Sequence, residues 1–270
     1  MAEDYFVGIN TRELDRLKMQ HDAWLPETMA LWQRAGFRSG MSILDAGCGP
    51  GFTSLELAKI VGPSGKVCAL DKAKPFLRHL ETAANEAKLS NLTTSEADIT
   101  APNTLDGNFD GVFTRWFLAF LIGDLKTVLA QIHRTLKPKG VIACMEYLTL
   151  RSTTCSPPCL GFDAHTNAWI DYYLKHGGDT EVGASLPSLL HQAGFEVKTI
   201  SCVGGMAKPG ERWWSWWFRL VEDFGTTLVE GGLMTAKDLA ELQTESIKWA
   251  EQPNSFIYTP IIAQIVAVKR

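Results

Sequence analysis

The chain has no run of basic residues longer than the pair Lys269-Arg270, and its formal charge is −4 over 270 residues. A surface that neutralises several phosphates needs clustered Lys and Arg, so nucleic acid is not an expected partner. Long apolar runs are absent too. The most apolar stretch, Trp116 to Ile122, is far shorter than the ~20 residues that cross a bilayer. Met1-Ala2-Glu3-Asp4 is acidic and lacks the apolar core of a secretory signal. The expectation is a cytoplasmic protein with no membrane span. Cysteine is scarce, and six in this length do not make a disulfide framework. Cys48, Cys68, Cys144 and Cys202 lie in or beside strand-like runs, where small buried thiols are ordinary. Cys155 and Cys159 bracket Ser156-Pro157-Pro158, with only His165 near them. That falls short of a metal-ligand set, so no metal is expected. No internal repeat or low-complexity linker divides the chain, which is long enough for one large α/β domain with a cap.

What is present is a glycine-rich turn. Met41 to Leu44 is apolar and leads into Asp45-Ala46-Gly47-Cys48-Gly49-Pro50-Gly51. Phe52 to Ala58 then reads as a helix opening, with Thr53 and Glu56 at capping-box spacing. The order is strand, glycine turn, helix, which places a ligand at the carboxyl end of a strand. A dinucleotide fingerprint is G-x-G-x-x-G, with a helix N-terminus aimed at a pyrophosphate. Here the glycines stand at Gly47, Gly49 and Gly51, two residues after an acid. A carboxylate there repels phosphate and pairs with an ammonium group.

Asn10 and Glu13 have the spacing of an N-cap and its partner three residues on, and Leu14, Leu17, His21 and Trp24 follow on one helical face. Leu25-Pro26 is expected to break this helix, with a second over Glu27 to Ala35 closed by Gly36. Residues 1–39 thus read as an N-terminal helical extension, a lid over the ligand crevice. From Met41 strands alternate with helices: strands over Met41–Asp45, Lys66–Asp71, Leu92–Ala97, Phe109–Thr114 and Val141–Met145, helices over Thr53–Val61, Pro75–Leu89 and Asp124–Leu136. That alternation means a parallel, doubly wound sheet. The rhythm is lost after Tyr147, returns with a helix over Leu186–Gly194 and a strand over Phe195–Cys202, and ends in a β-rich run, Ile257–Val268. Residues 148–185 and 204–255 read as cap insertions in a domain spanning 40–270.

The Asp-x-Gly-x-Gly-x-Gly pattern resembles motif I of the class I S-adenosylmethionine (SAM)-dependent methyltransferases. SAM carries no phosphate, and its amino-acid end is a zwitterion, in keeping with the acid before the loop. Phe109-Asp110-Gly111-Val112 and Leu136-Lys137-Pro138-Lys139-Gly140 resemble the branch containing the ubiquinone and menaquinone biosynthesis methyltransferases. Lys139 stands where that branch more often has a second glycine. The resemblance covers about 39–147, 186–202 and 257–268. It implies a Rossmann-like seven-stranded sheet ending in an antiparallel hairpin, with SAM as cofactor. It further implies that Asp45, Gly47, Gly49 and Gly51 underlie the methionine and ribose parts, and that Asp71, with Lys72 beside it, takes the ribose hydroxyls. Asp98 and Ile99 fall at the adenine, and Thr114 and Arg115 beside the methionine portion. For Arg115 a pairing with the SAM carboxylate and a surface salt bridge are equal alternatives.

The function implied is methyl transfer to a small, apolar or aromatic acceptor at O, N or C. The cofactor's sulfonium is already activated, so alignment is the protein's main task. Glu211-Arg212-Trp213-Trp214-Ser215-Trp216-Trp217-Phe218 puts Trp213, Trp216, Trp217, Leu220, Val221 and Phe224 in one stripe, with Trp214 and Phe218 off it. The stripe reads as cap core, as an acceptor wall, or as a homodimer interface. Candidate bases are few: Glu146 or Tyr147, one of which strand alternation aims at the ligand, and the histidines His21 and His165. A macromolecular methyltransferase, a SAM-binding protein without transfer, and an NAD-type oxidoreductase are the competing readings.

Overall fold

The computed structural model describes residues 11–101, 106–121 and 125–270. Chain order begins with helix α1 (Thr11–Arg34), strand β1 (Ser42–Ala46), α2 (Phe52–Val61), β2 (Lys66–Asp71), α3 (Lys74–Glu86) and β3 (Leu92–Glu96). It continues with β4 (Phe109–Arg115), a 3₁₀ turn at Leu118–Phe120, α4 (Leu125–Thr135) and β5 (Leu136–Thr149). The first insertion holds β6 (Thr154–Ser156), α5 (Leu160–Lys175) and the start of α6 (Val182–Gln192). Then come β7 (Phe195–Val203), β8 (Met206–Ala207), α7 (Arg212–Glu230), α8 (Ala236–Ala250), β9 (Phe256–Tyr258) and β10 (Ile261–Lys269).

The main sheet has seven strands in the order β3-β2-β1-β4-β5-β10-β7. All neighbours run parallel except β10, which is antiparallel to β5 and β7. The doubly wound sheet with a terminal antiparallel hairpin is as the sequence led one to expect. Strand β1 explains why its run is apolar throughout: it pairs on both edges and Ile43 to Ala46 are all buried. Its carboxyl end, between β2 and β4, delivers Asp45 and the glycine turn to the point where the strand order reverses.

Several elements differ from the sequence reading. Helix α1 runs unbroken through Pro26. Proline removes one backbone donor, but Trp24, Leu31 and Trp32 are buried on both sides of it, and that packing outweighs the lost bond. The helix ends at Gly36, at φ 74°, with the Phe37 N–H reaching back to the Trp32 carbonyl. The expected cap at Asn10 lies outside the described residues, as does Asp124 before α4. Helix α2 is not capped by Thr53 and Glu56: the N-cap is Gly51, Thr53 turns its hydroxyl to Asp45, and Glu56 pairs with Lys59. Helix α6 begins at Val182 rather than Leu186, and the last run divides into β9 and β10 at Thr259-Pro260. A small antiparallel sheet, β6-β9-β8, has no counterpart in the sequence reading; it ties the two insertions together.

Helices α1 and α7 pack on each other and on Trp116, just beyond the carboxyl end of β4. Trp216 and Trp217 of α7 are fully buried, with Trp24 of α1 edge-on to Trp216 at 5.3 Å. Trp214 and Phe218, off the main stripe, stack instead on Trp249 of α8, at 4.7 and 5.9 Å. Helix α7 is therefore apolar nearly all round because it is covered on two sides. Among the described residues no helix is long and apolar enough to cross a membrane.

Candidate active site

The glycine turn is built by close packing as much as by ligand space. Gly47 (φ 72°) faces Phe117 so tightly that a Cβ would lie 2.1 Å from its ring. Gly51 (φ 81°) is likewise blocked, by Leu80 at 2.4 Å, and does not reach the cavity. Gly49 (φ 52°) has nothing within 4 Å of its Cβ position and opens onto that cavity. Three glycines read alike in sequence thus serve two purposes: Gly51 seats a helix, and Gly49 leaves room.

Asp45 is buried behind the turn, its Oδ2 accepting from Thr53 Oγ1 at 2.8 Å and Ser54 Oγ at 2.6 Å. Burial raises its pKa, against the pull of those two hydroxyls and of Arg115. Asp71 ends β2 and accepts from the Gly49 N–H on Oδ2 and the Ala73 N–H on Oδ1, each at 2.8 Å. Its pKa is also raised by burial. Lys72, Asp98 and Ile99 complete this end of the cavity. Asp98 Oδ1 takes the Thr100 N–H at 2.8 Å and its hydroxyl at 2.6 Å, which lowers its pKa. Thr114 is fully buried and lies away from the cavity wall. Arg115 lines the cavity and has no carboxylate in ion-pair reach among the described residues. It donates to Thr28 Oγ1 at 3.0 Å, meets His21 Nδ1 at 3.2 Å and lies over the Trp116 ring at 5.3 Å. Burial pulls its pKa down to about 10.

Beyond Arg115 the same cavity, about 260 Å³, becomes aromatic. Trp116, Phe117 and Phe120 come from the segment after β4, Tyr147 from β5, Trp169 and Tyr173 from α5, and Leu220 and Phe224 from α7. Arg16, Leu17 and Gln20 of α1 roof it. Most of this wall was invisible in sequence. The sequence reading names Tyr147, Leu220 and Phe224, whereas Trp213, Trp216 and Trp217 of the same stripe lie off the wall; it misses Trp169 and Tyr173, at i, i+4 spacing.

The candidate bases separate cleanly. Tyr147 lines the cavity, stacked on Trp116 at 6.0 Å, and burial pushes the pKa of its hydroxyl well up, so it is a neutral donor rather than a base. Glu146 points elsewhere. Wholly buried, it accepts from the N–H groups of Phe117 and Leu118 at 3.1 Å and of Ala119 at 3.4 Å, gripping the 3₁₀ turn. Burial raises its pKa to about 7. His21 is buried beside Arg115, off the cavity wall, with its pKa lowered to about 3 by burial and then by Arg115. His165 is fully buried in α5, also off the wall, and burial lowers it to about 4. Neither histidine stands where a base could reach an acceptor in the cavity.

Residues 43–140 match the family model described as a methyltransferase domain. That stretch of the chain is similar to a methyltransferase domain. The chain is 37 % identical over 127 residues to the demethylmenaquinone methyltransferase of Lactococcus lactis, 47 % of this chain and 49 % of that one. The match thus spans about half the length of that relative. Coclaurine N-methyltransferase, solved with N-methylheliamine and SAH, superposes with a TM-score of 0.59 at 14 % identity, over 91 % of this chain and 72 % of that one. The [4+2]-cyclase SpnF superposes with a TM-score of 0.57 at 19 % identity, over 90 % and 80 %. At such identities the likeness is one of fold. S-adenosylmethionine is the cofactor that goes with the methyltransferase domain. The matched stretch runs from β1 to the turn inside β5, so α1 and the cap helices lie outside it.

Proposed function

We propose that this protein transfers a methyl group from SAM to a small aromatic acceptor. One observation carries the reading: a single cavity joins the Asp45–Gly49–Asp71 end to a chamber walled by rings. The first end suits the cofactor. Arg115, a cation without a carboxylate partner among the described residues, suits the methionine carboxylate, and the free Oδ1 side of Asp45 its ammonium. Asp71 retains lone pairs for the ribose hydroxyls, and Lys72, Asp98 and Ile99 border the space for adenine. When bound, SAM supplies an activated methyl group; the chain's residues align the acceptor and exclude water.

The second end suits an apolar or aromatic acceptor of modest size, such as the quinone-type ring that the name of the Lactococcus relative suggests. A roof of α1 and α7 over the cavity disfavours a macromolecular acceptor. In this reading residues 1–39 form a lid, and the insertions at 148–185 and 204–255 form the acceptor cap of a domain spanning 40–270.

The test is calorimetric titration with SAM, S-adenosylhomocysteine (SAH) and NAD, followed by assay of SAH release with a reduced naphthoquinone as acceptor. Binding of both adenosyl ligands but not NAD, with acceptor-dependent SAH release, is the expected result. Saturable binding of NAD alone would overturn the reading. SAM binding with no turnover on any aromatic acceptor would leave a SAM-binding protein that transfers nothing.

A further inference from the structure

Helix α1 runs unbroken through Pro26, and that continuity puts His21 and Thr28, about two turns apart, on one face. Both are buried. Arg115, at the end of β4, donates from Nη1 to Thr28 Oγ1 at 3.0 Å and from Nη2 to His21 Nδ1 at 3.2 Å. A guanidinium has only donors, so Nδ1 is the accepting nitrogen and the His21 proton sits on Nε2. His21 is neutral, its pKa lowered to about 3 first by burial and then by Arg115. Thr28 gives its own proton to the Trp24 carbonyl at 2.8 Å, which leaves its lone pairs for Arg115.

Two neutral acceptors therefore hold the plane of the guanidinium without cancelling its charge. A carboxylate in their place would do both. Asp45 attracts Arg115 only from beyond ion-pair distance, and its Oδ2 already takes the hydroxyls of Thr53 and Ser54. The other N–H groups of Arg115, Nε included, have no acceptor among the described residues, and the side chain lines the cavity. A cation drawn out of water without a counter-ion in contact costs free energy until an anion meets it. Because α1 fixes the orientation beforehand, the anion does not have to order a long side chain on arrival.

We infer that His21 and Thr28 are positioning residues of the donor site: through Arg115 they fix where the carboxylate of an amino-acid-bearing adenosyl ligand is held. The inference rests on the methyltransferase reading above, which gives Arg115 that carboxylate. Helix α1 lies outside the matched residues 43–140, so part of the donor site is built by a segment that the methyltransferase likeness does not cover. The same helix roofs the aromatic chamber through Leu17 and Gln20, and one element thereby serves both ends of the cavity.

The full chain is titrated calorimetrically with SAH and, separately, with methylthioadenosine, which shares the adenosine and the sulfur but has no amino-acid end. The unaltered protein should bind SAH at least about tenfold more tightly. Thr28→Val and His21→Leu should each weaken SAH about fivefold or more and leave methylthioadenosine within about twofold of its starting affinity. Thr28→Ser keeps the hydroxyl and should bind SAH as the unaltered protein does. Should a buried substitution fail to fold, NMR of the His21 ring in the unaltered protein still decides: the Nδ1 signal should move with SAH and stay in place with methylthioadenosine. Equal losses for the two ligands in the folded variants, or no loss at all, would overturn the inference, since a merely structural helix predicts no split. So would SAH binding no tighter than methylthioadenosine in the unaltered protein, or a His21 signal that responds alike to both. If neither ligand binds, it is the methyltransferase reading that falls, a result separable from any split between them.

Discussion

Gly47 and Gly49, two residues apart and both at positive φ, should fail in different ways when replaced by alanine. Each substitution holds an L-residue in the left-handed region, at roughly 1–2 kcal/mol. At Gly47 the new Cβ also falls 2.1 Å from the Phe117 ring, an overpacking that adds about 1–3 kcal/mol. At Gly49 the Cβ meets nothing of the chain within 4 Å, so the backbone cost stands alone. A kilocalorie shifts the melting point of a domain this size by about 2–4 °C. Gly47→Ala should therefore melt roughly 6–12 °C below the unaltered protein, and Gly49→Ala by about half as much. Added SAM should rescue Gly47→Ala only as far as the cavity that Gly47 and Phe117 also line still admits it, and should rescue Gly49→Ala least. At a hundredfold excess over Kd a ligand stabilises by about 2.7 kcal/mol, and Gly49→Ala fills the space the ligand needs. Differential scanning fluorimetry with and without SAM reads both effects. A full SAM-induced shift in Gly49→Ala, or a Gly47→Ala no less stable than Gly49→Ala, would refute the reasoning from the two Cβ positions.

Asp71→Ala should weaken SAM binding more than about tenfold, since in the proposed reading it removes a half-buried acceptor from two hydroxyls; calorimetry on the folded variant checks it, and unchanged affinity takes Asp71 out of the site. Glu146 has its pKa raised from 4.5 to about 7 by burial. Its contribution to stability is then fully present below about 4.5 and lost as pH rises through about 7. Denaturant titrations from pH 4 to 8 should show that downward trend in the unaltered protein and a flatter one in Glu146→Gln. His21, lowered to about 3, should stay neutral from pH 5 to 8, and an NMR titration of its ring resonances in that range would contradict its burial beside Arg115.

The sheet was readable because alternation of apolar runs and amphipathic helices is a local signal. The glycine turn was readable because its acid and spacing are chemical statements about a ligand. The sequence was silent where distant residues decide. Nothing near Gly51 announces Leu80, so a glycine needed for packing looked the same as one needed for space. Pro26 is a helix breaker by its own chemistry, and only the burial of Trp24, Leu31 and Trp32 overcomes that tendency. Thr53 and Glu56 had the right spacing for a capping box, yet a buried carboxylate eight residues back claims the hydroxyl. His21 and His165 were plausible bases by residue type alone. Position decided otherwise, since one faces Arg115 and the other is buried away from the cavity. The walls of the chamber come from four separate segments, and no periodicity within one of them reports the other three.

Those segments meet at the turn after β4. Trp116 sits at φ 47°, an unusual conformation for a bulky residue, and its N–H is held by the Met145 carbonyl at 3.0 Å. Glu146, the next residue on β5, holds the three following N–H groups. The Ala119 carbonyl in turn receives the Asp179 N–H of the first insertion at 2.8 Å. One short segment therefore presses Phe117 onto the glycine turn, offers Trp116 and Phe120 to the aromatic chamber, and anchors the cap. A strained backbone persists only where its surroundings over-determine it, and here strand β5 and the segment around Asp179 do so. In the proposed reading the glycine turn and the aromatic wall share that single support, so a change that loosens it should cost both cofactor and acceptor affinity together. Changes at Leu17 or Gln20 of α1, or at Leu220 or Phe224 of α7, touch the roof and the chamber wall, whereas Thr28 and His21 of α1 reach Arg115. Such an arrangement lets the acceptor change by substitution in the roof while the methyl-donor site is kept.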